Sequence, residues 1–599
     1  MVTFRNSLLL LAVIAVMVPA ANAQVGITPP MTCTANSGVP PIVRAEGLAE
    51  LVGDAILQCT GGTPTALNVP VPKVNIRVFL NTTVTSRLVD SPWNEALLMI
   101  DEPAPADQRI CTQSDGCSLL GVGEEPGIDY SQADYNMWQG TAIFNNVNSS
   151  GNTIEWLGVP VDPPGTQAVR VIRITNVRVN AAERGVGGSL IPTRLTMFIS
   201  ATGTSSLPIT NPQVDVAFIQ DGLVVSADAQ DYLQCEAPEG YTEICFQERF
   251  ATAFKKRNVD TTPNSPTAMS PQDMPGTIYN TETGFWNPNL SSVNNADEAG
   301  RASQGTQLVA WFKNIPAGVD LYVGQKNNGN GGSTNIATLV VGGVPMSLSS
   351  ATGESQVSLS GGAGSATWEV TQDNPVSVDE LCFNIRVDYT PNTSAGIPAL
   401  GVGSLAGSYG PVSDLIVATS TDLQPRFIDD STDIDFLTIN SCATNLLWPY
   451  VTNQAGFDTG LVISNTSMDP FGTTTQEGVC EIYYYGNSNG GDPPSMDTTP
   501  VVGAGGYAIW TLSSGGGVKL WGEGLGTGVI AAAPGFEGYV IAHCLFQYAH
   551  GYGFISDLGA QKLSQGYLAL ILDESIWCNS YEHDSCGSRT GSKSEPLNQ

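Results

Sequence analysis

The sequence predicts an all-β protein, a series of tandem β-sandwich domains of jelly-roll or immunoglobulin-like type with one short helix and long loops. Three observations predict it. Apolar and polar residues alternate along many short runs, as in strands with one buried face. Clusters of Gly, Asn, Asp and Pro separate those runs and supply turns, with 65 Gly and 38 Pro in the 599-residue chain. Charged residues make up only 13%, about half of the ~25% of an ordinary domain, which disfavours long solvent-facing helices.

In chain order, residues 1–23 have the pattern of a secretory signal. Arg5 is followed by the apolar run Leu8 to Val18 and by Ala21-Asn22-Ala23, a small-x-small cleavage site. A first β-sandwich region is expected over 24–226. Lys73 to Asn81 carries Val74, Ile76, Val78 and Leu80 on one face, and similar runs cover 169–179, 195–201 and 214–218. Residues 227–304 are expected to form a short helix and an irregular connection. The helix is expected over 242–257, where Phe246, Phe250 and Phe254 recur every four residues and Lys255-Lys256-Arg257 would complement the negative end of the helix on a solvated face. The Pro-, Asn- and Thr-rich stretch after Asn258 is expected to be a long connection or a surface excursion. A second region over 305–441 contains the alternating runs 307–312 and 381–389. A third, over 442–599, contains Cys480 to Tyr485 and Tyr539 to Gln547 and ends in a disulfide-closed tail.

Formal net charge is −32. A chain this acidic is repelled by phosphate backbones, so nucleic acid is not an expected partner. No segment after the signal is long and apolar enough to span a membrane as a helix. The twelve cysteines form an even set, which in an exported chain implies a disulfide framework. Sequence proximity suggests Cys33–Cys59, Cys111–Cys117, Cys235–Cys245 and Cys578–Cys586. Strand pattern suggests Cys480–Cys544, and Cys382–Cys442 is what remains. Val540, Ala542, Cys544 and Phe546 should share a core face with Cys480, Ile482 and Tyr484, with His543 on the opposite side.

Candidate chemistry is sparse. No Gly-x-Ser-x-Gly elbow is present, and the histidines His543, His550 and His583 lack metal-ligand spacing. The glycine-rich stretch 522–528 contains Glu523, the wrong charge for phosphate. Asp429, Asp430, Asp433 and Asp435 form an acidic cluster of the type that suits Ca²⁺, with Glu124, Glu125 and Asp129 and the Asn487–Asp492 turn as further clusters. Solvated turns are the expected state of all three, and no other cofactor is suggested. Trp138, Phe285, Trp286 and Tyr483 to Tyr485 are candidate stacking residues, and two or three of the ten Trp should be exposed.

Two segments, Cys33-Thr-Ala-Asn-Ser-Gly-Val-Pro-Pro with Cys59-Thr-Gly-Gly, and Asn445-Leu-Leu-Trp-Pro-Tyr-Val-Thr-Asn-Gln-Ala-Gly-Phe-Asp-Thr-Gly-Leu-Val-Ile-Ser-Asn-Thr-Ser467, resemble exported bacterial proteins without an assigned activity. That resemblance implies export and β-structure and brings no catalytic residues. The expected function is that of a secreted or cell-surface protein, with the periplasm the other compartment. It would be non-enzymatic and structural, matrix or adhesive, contacting extracellular protein or glycan surfaces. The alternative is carbohydrate binding with calcium assistance, and after it glycoside hydrolysis.

Overall fold

The computed structural model describes residues 30–142, 151–186, 192–203, 207–234, 236–259, 268–328, 335–391, 398–414, 422–440, 442–471, 473, 475–519, 529–558, 560 and 562–572. The signal-like segment, Cys235, Cys578, Cys586, His583 and the loop 522–528 lie outside them. The regular secondary structure of the described chain is nearly all strand, with two short 3₁₀ segments at Pro105–Asp107 and Val293–Glu298. Among the described residues no helix is long and apolar enough to cross a membrane.

The first thirteen-stranded sheet is built from strands between Thr32 and Gln220. It rolls back on itself: Ile209–Thr210 pairs with Thr32–Ser37 at one end, while Gln213–Gln220, two residues further along the chain, pairs near the other. Alternation drives the roll. In Lys73–Leu80 the side chains Val74, Ile76, Val78 and Leu80 are all buried in the enclosed core. Trp93–Ile100 is buried on both faces, because Leu97 and Met99 are covered by Phe285 and Leu290 from the later irregular segment.

Two facing sheets form the second region. One contains Leu223–Ala227, Thr242–Glu248, Glu380–Asp388, Asp320–Gly324 and Glu354–Gln356; the other runs from Gln230–Leu233 to Val344–Pro345 around Gly401–Gly410 and Gln307–Lys313. Their inner faces meet at Phe246, Trp368 and Phe383, with the Trp368 and Phe383 rings stacked at 4.1 Å. The third region, over 444–572, is a pair of five-stranded sheets. Its core contains Trp448, Trp510 and Phe536 and the expected face Val540, Ala542, Cys544, Phe546, Cys480, Ile482 and Tyr484.

The expected helix over 242–257 is corrected. Thr242–Glu248 is a strand whose alternate residues Thr242, Ile244, Phe246 and Glu248 are buried. A spacing of four is also two periods of two, so the phenylalanine repeat did not distinguish the states. Phe250 and Phe254 follow in turns and are buried as well. Lys255 is buried and Lys256 pairs with Asp373 at 3.1 Å, so the basic triplet is not a solvated flank. Nor is the following stretch a surface excursion: Asn258, Gln272, Thr281, Glu282, Thr283 and Asn287 are all buried.

Disulfides join Cys33 to Cys59, Cys111 to Cys117, Cys245 to Cys382 and Cys480 to Cys544. The Cys245–Cys382 bridge replaces both the Cys235–Cys245 and Cys382–Cys442 pairs; Cys442 is bonded elsewhere. Proximity in sequence was the wrong criterion for Cys245, which lies directly opposite Cys382 across an antiparallel strand pair, 137 residues away in sequence. Cys33–Cys59 and Cys480–Cys544 have the same opposed placement, so each of the three regions carries one such staple.

Candidate binding face

The strand Ala549–Ser556 reads Ala-His-Gly-Tyr-Gly-Phe-Ile-Ser, with the small residues Ala549, Gly551 and Gly553 turned inward. Trp448 explains this choice. A Cβ at Gly551 would stand 2.6 Å from its ring and one at Gly553 3.0 Å away, so only glycine lets the indole pack against that backbone. The alternate residues His550, Tyr552 and Phe554 must then point outward.

Register assembles a row across all five strands of this sheet. Gly517 lies opposite Ile509, Ile509 opposite Val462, Val462 opposite Tyr552, and Tyr552 opposite Leu568. A second row places Thr511, Gly460, Phe554 and Gly566 side by side. Tyr552 and Phe554 are each 43% exposed and Leu568 is 74% exposed. Glycine keeps the relief low: the Tyr552 hydroxyl occupies the place where a Cβ at Gly566 would stand, so the ring lies across the neighbouring strand. Asp458, at the rim, is buried with its carboxylate accepting from Ser513 Oγ at 2.6 Å. An acidic chain therefore presents two adjacent low, apolar and aromatic rows without a charged side chain, with Lys519, Tyr507, Ser464 and His550 forming the row beyond them.

The other residues singled out in the sequence do not converge on a site. Asp433 pairs with Lys313 at 2.5 Å, and Asp429 accepts from the Ser431 amide at 3.1 Å. Burial pushes the Asp430 carboxyl up. Glu125 accepts from the Thr166 amide, Asp129 from Ser131, and Asn487 from Gln454. Among the described residues, the one group of three His, Cys, Asp or Glu side chains close enough to hold a metal is Glu243 with Cys245 and Cys382, whose sulfurs are bonded to each other. His543 is buried opposite Asn445, its Nδ1 2.7 Å from Oδ1, and burial pushes its pKa down to about 4. Leu545 beyond it is 43% exposed, so that side of the strand is only partly covered. His550 lies on the aromatic face, opposite Ser464.

Trp138, Phe285 and Trp286 are buried, and among the described Trp residues none is exposed. The exposed rings are tyrosine and phenylalanine instead. Tyr484 packs edge-on against Phe536 in the core, whereas Tyr485 stacks on Tyr539 at 5.0 Å on the outside of the partner sheet. Tyr552 and Phe554 were not singled out in the sequence. The available signal was the Gly-Tyr-Gly-Phe alternation, which leaves the rings no inward position.

No family model and no curated protein matches the chain. Among solved structures it is similar to a biofilm-associated protein BSP domain, at 8% identity over 90% of this chain and 95% of that one, with a TM-score of 0.15. A putative membrane-anchored protein from Corynebacterium diphtheriae matches at 9% identity over 89% of each chain, TM-score 0.16. The CupB6 tip adhesin from Pseudomonas aeruginosa matches at 7% identity over 68% of this chain and 97% of that one, TM-score 0.13. TM-scores this low carry no argument about function.

Proposed function

We propose that the protein is an exported, non-enzymatic surface or matrix protein that adheres through the outer face of its third sandwich, and that this face engages neutral carbohydrate. The observation that carries the reading is the Ile509, Val462, Tyr552, Leu568 row with Phe554 beside it, uncharged on a chain of net charge −32. An exposed aromatic ring on a low sheet surface offers a π-face to the C–H bonds of a pyranose. Repulsion from anionic surfaces is least where the protein itself carries no charge. Export is supported by the signal-like sequence 1–23 and by the bridges, which persist in oxidising compartments. The resemblance to exported bacterial proteins is in keeping with it.

Pull-down of the full chain on insoluble cellulose, immobilised dextran and immobilised galactan tests the reading, with and without chelator. Tyr552→Ala combined with Phe554→Ala should abolish retention while leaving the melting temperature within a few degrees, because both rings are about half exposed. Retention unchanged by the double substitution overturns the assignment of the face. Adhesion to protein-coated surfaces but to no glycan keeps an adhesive role and removes the carbohydrate one. Loss of glycan retention in chelator favours calcium-assisted recognition.

A further inference from the structure

A cavity of about 480 Å³ lies between the first sheet and the irregular segment 274–285, within the ~300–1,000 Å³ range of small-molecule sites. Its walls combine apolar surface from Pro41, Leu51 and Ile56 with the polar groups of Asp54, Arg173 and Lys255. It borders solvent through Met274 and Ile278, which are 52% and 59% exposed.

The charges lining it are unequally matched. Arg173 donates to Asp54 at 2.7 Å and to Glu102 at 2.9 Å, so its guanidinium is engaged. Lys255 is only 9% exposed, and although Glu50 and Glu282 attract it through space, among the described residues no acceptor hydrogen-bonds or ion-pairs with its ammonium. The neighbouring carboxylates are already committed: Glu50 accepts from Arg44 Nε at 2.9 Å, and Glu282 from Arg44 at 2.8 and 3.2 Å. Burying an unpaired cation is costly, and burial accordingly pushes the Lys255 pKa down. An anion set beside it would relieve that cost.

We infer that this cavity binds a small organic carboxylate, its charge at Lys255 and its apolar body against Pro41, Leu51 and Ile56. The site is separate from the aromatic face and does not depend on the function proposed for it. Neither arm of its test involves the third sandwich.

Fluorine NMR of the full chain with 4-fluorobenzoate and its uncharged isostere 4-fluorobenzamide provides the test. At millimolar probe the benzoate should broaden and the benzamide should bind at least tenfold more weakly. Lys255→Met should erase that discrimination. If Lys255→Met does not fold, Ile278→Asp, at an exposed position on the mouth, places a negative charge at the entrance and should weaken benzoate at least threefold. Equal binding of the two probes by the unsubstituted protein, absence of benzoate binding, or benzoate binding unaffected by either folded variant overturns the assignment.

Discussion

The seam between the first two regions and the interior of the third solve the same problem with opposite chemistry. At the seam Arg44 donates to Glu50, Glu282, Thr306 and the Ala253 carbonyl, and its guanidinium lies 4.6 Å from the centre of the Phe427 ring. Arg178 donates to the Glu282 carbonyl at 2.6 Å and pairs with Glu95, which accepts from Gln424. These partners come from widely separated parts of the sequence, from Arg44 to Phe427, and meet only in the folded chain. In residues 444–572 no ion pair joins two described residues, and the core is Trp448, Trp510, Phe536, Val540 and their apolar neighbours braced by Cys480–Cys544. An ionic seam specifies a unique arrangement but depends on every partner; an apolar core tolerates change in proportion to the volume altered.

Removing one member of the seam should expose that dependence most strongly. Arg44→Met leaves Glu282 and Glu50 buried without their cation, a loss of about 3–5 kcal/mol. Scanning calorimetry should show the transition of the first two regions falling while that of the third stays in place. A joint fall would mean that all three regions melt as one unit and that the contrast has no thermodynamic counterpart.

The staple of the third region should come next. Replacing Cys480 and Cys544 together by Ala should lower the stability of that region by about 2–4 kcal/mol, again seen as the shift of one calorimetric transition. An unchanged transition would mean that the apolar core suffices alone.

Acidification should move the two parts in opposite directions. Burial pushes Glu46 and Glu248 up to about 7 from an ordinary value of 4.5. Between those values the folded form holds more protons than the unfolded one, so these groups raise stability as pH falls from 7 to 4.5. His543 is the reverse: its folded pKa near 4 lies below the ordinary 6.5, so the unfolded form takes up the proton first and stability is lost as pH falls between them. At pH 5 that loss is up to about 2 kcal/mol. Melting at pH 7 and pH 5 should separate the transitions, and His543→Gln should remove the fall in the third. Parallel shifts would contradict the assignment.

The smallest effect is expected at the surface. Asp433→Asn breaks only the exposed pair with Lys313 and should cost less than about 1 kcal/mol. Added Ca²⁺ should leave the melting temperature of both forms equal; stabilisation of the unsubstituted form alone would restore the acidic cluster as an ion site.

Local periodicity determined much of this molecule. Val74 to Leu80, Leu381 to Val387 and Val540 to Phe546 alternate because a strand turns successive side chains to opposite faces, and that property needs no knowledge of the partner strand. The Cys480–Cys544 bridge followed from the same alternation, since both sulfurs lie on inward faces. Where one spacing fits two periods, as at Phe246, Phe250 and Phe254, only the neighbouring strands decided, and Cys382 opposite Cys245 shows the result. The burial of Lys255, Glu282 and Trp286, all in stretches of polar composition, depended on surfaces supplied by residues up to about 240 positions away, such as Arg44. The aromatic face lies between these cases. Gly551 and Gly553 carry half of its cause in the sequence; the other half is Trp448, a hundred residues earlier, whose ring takes the inward space and leaves Tyr552 and Phe554 to solvent.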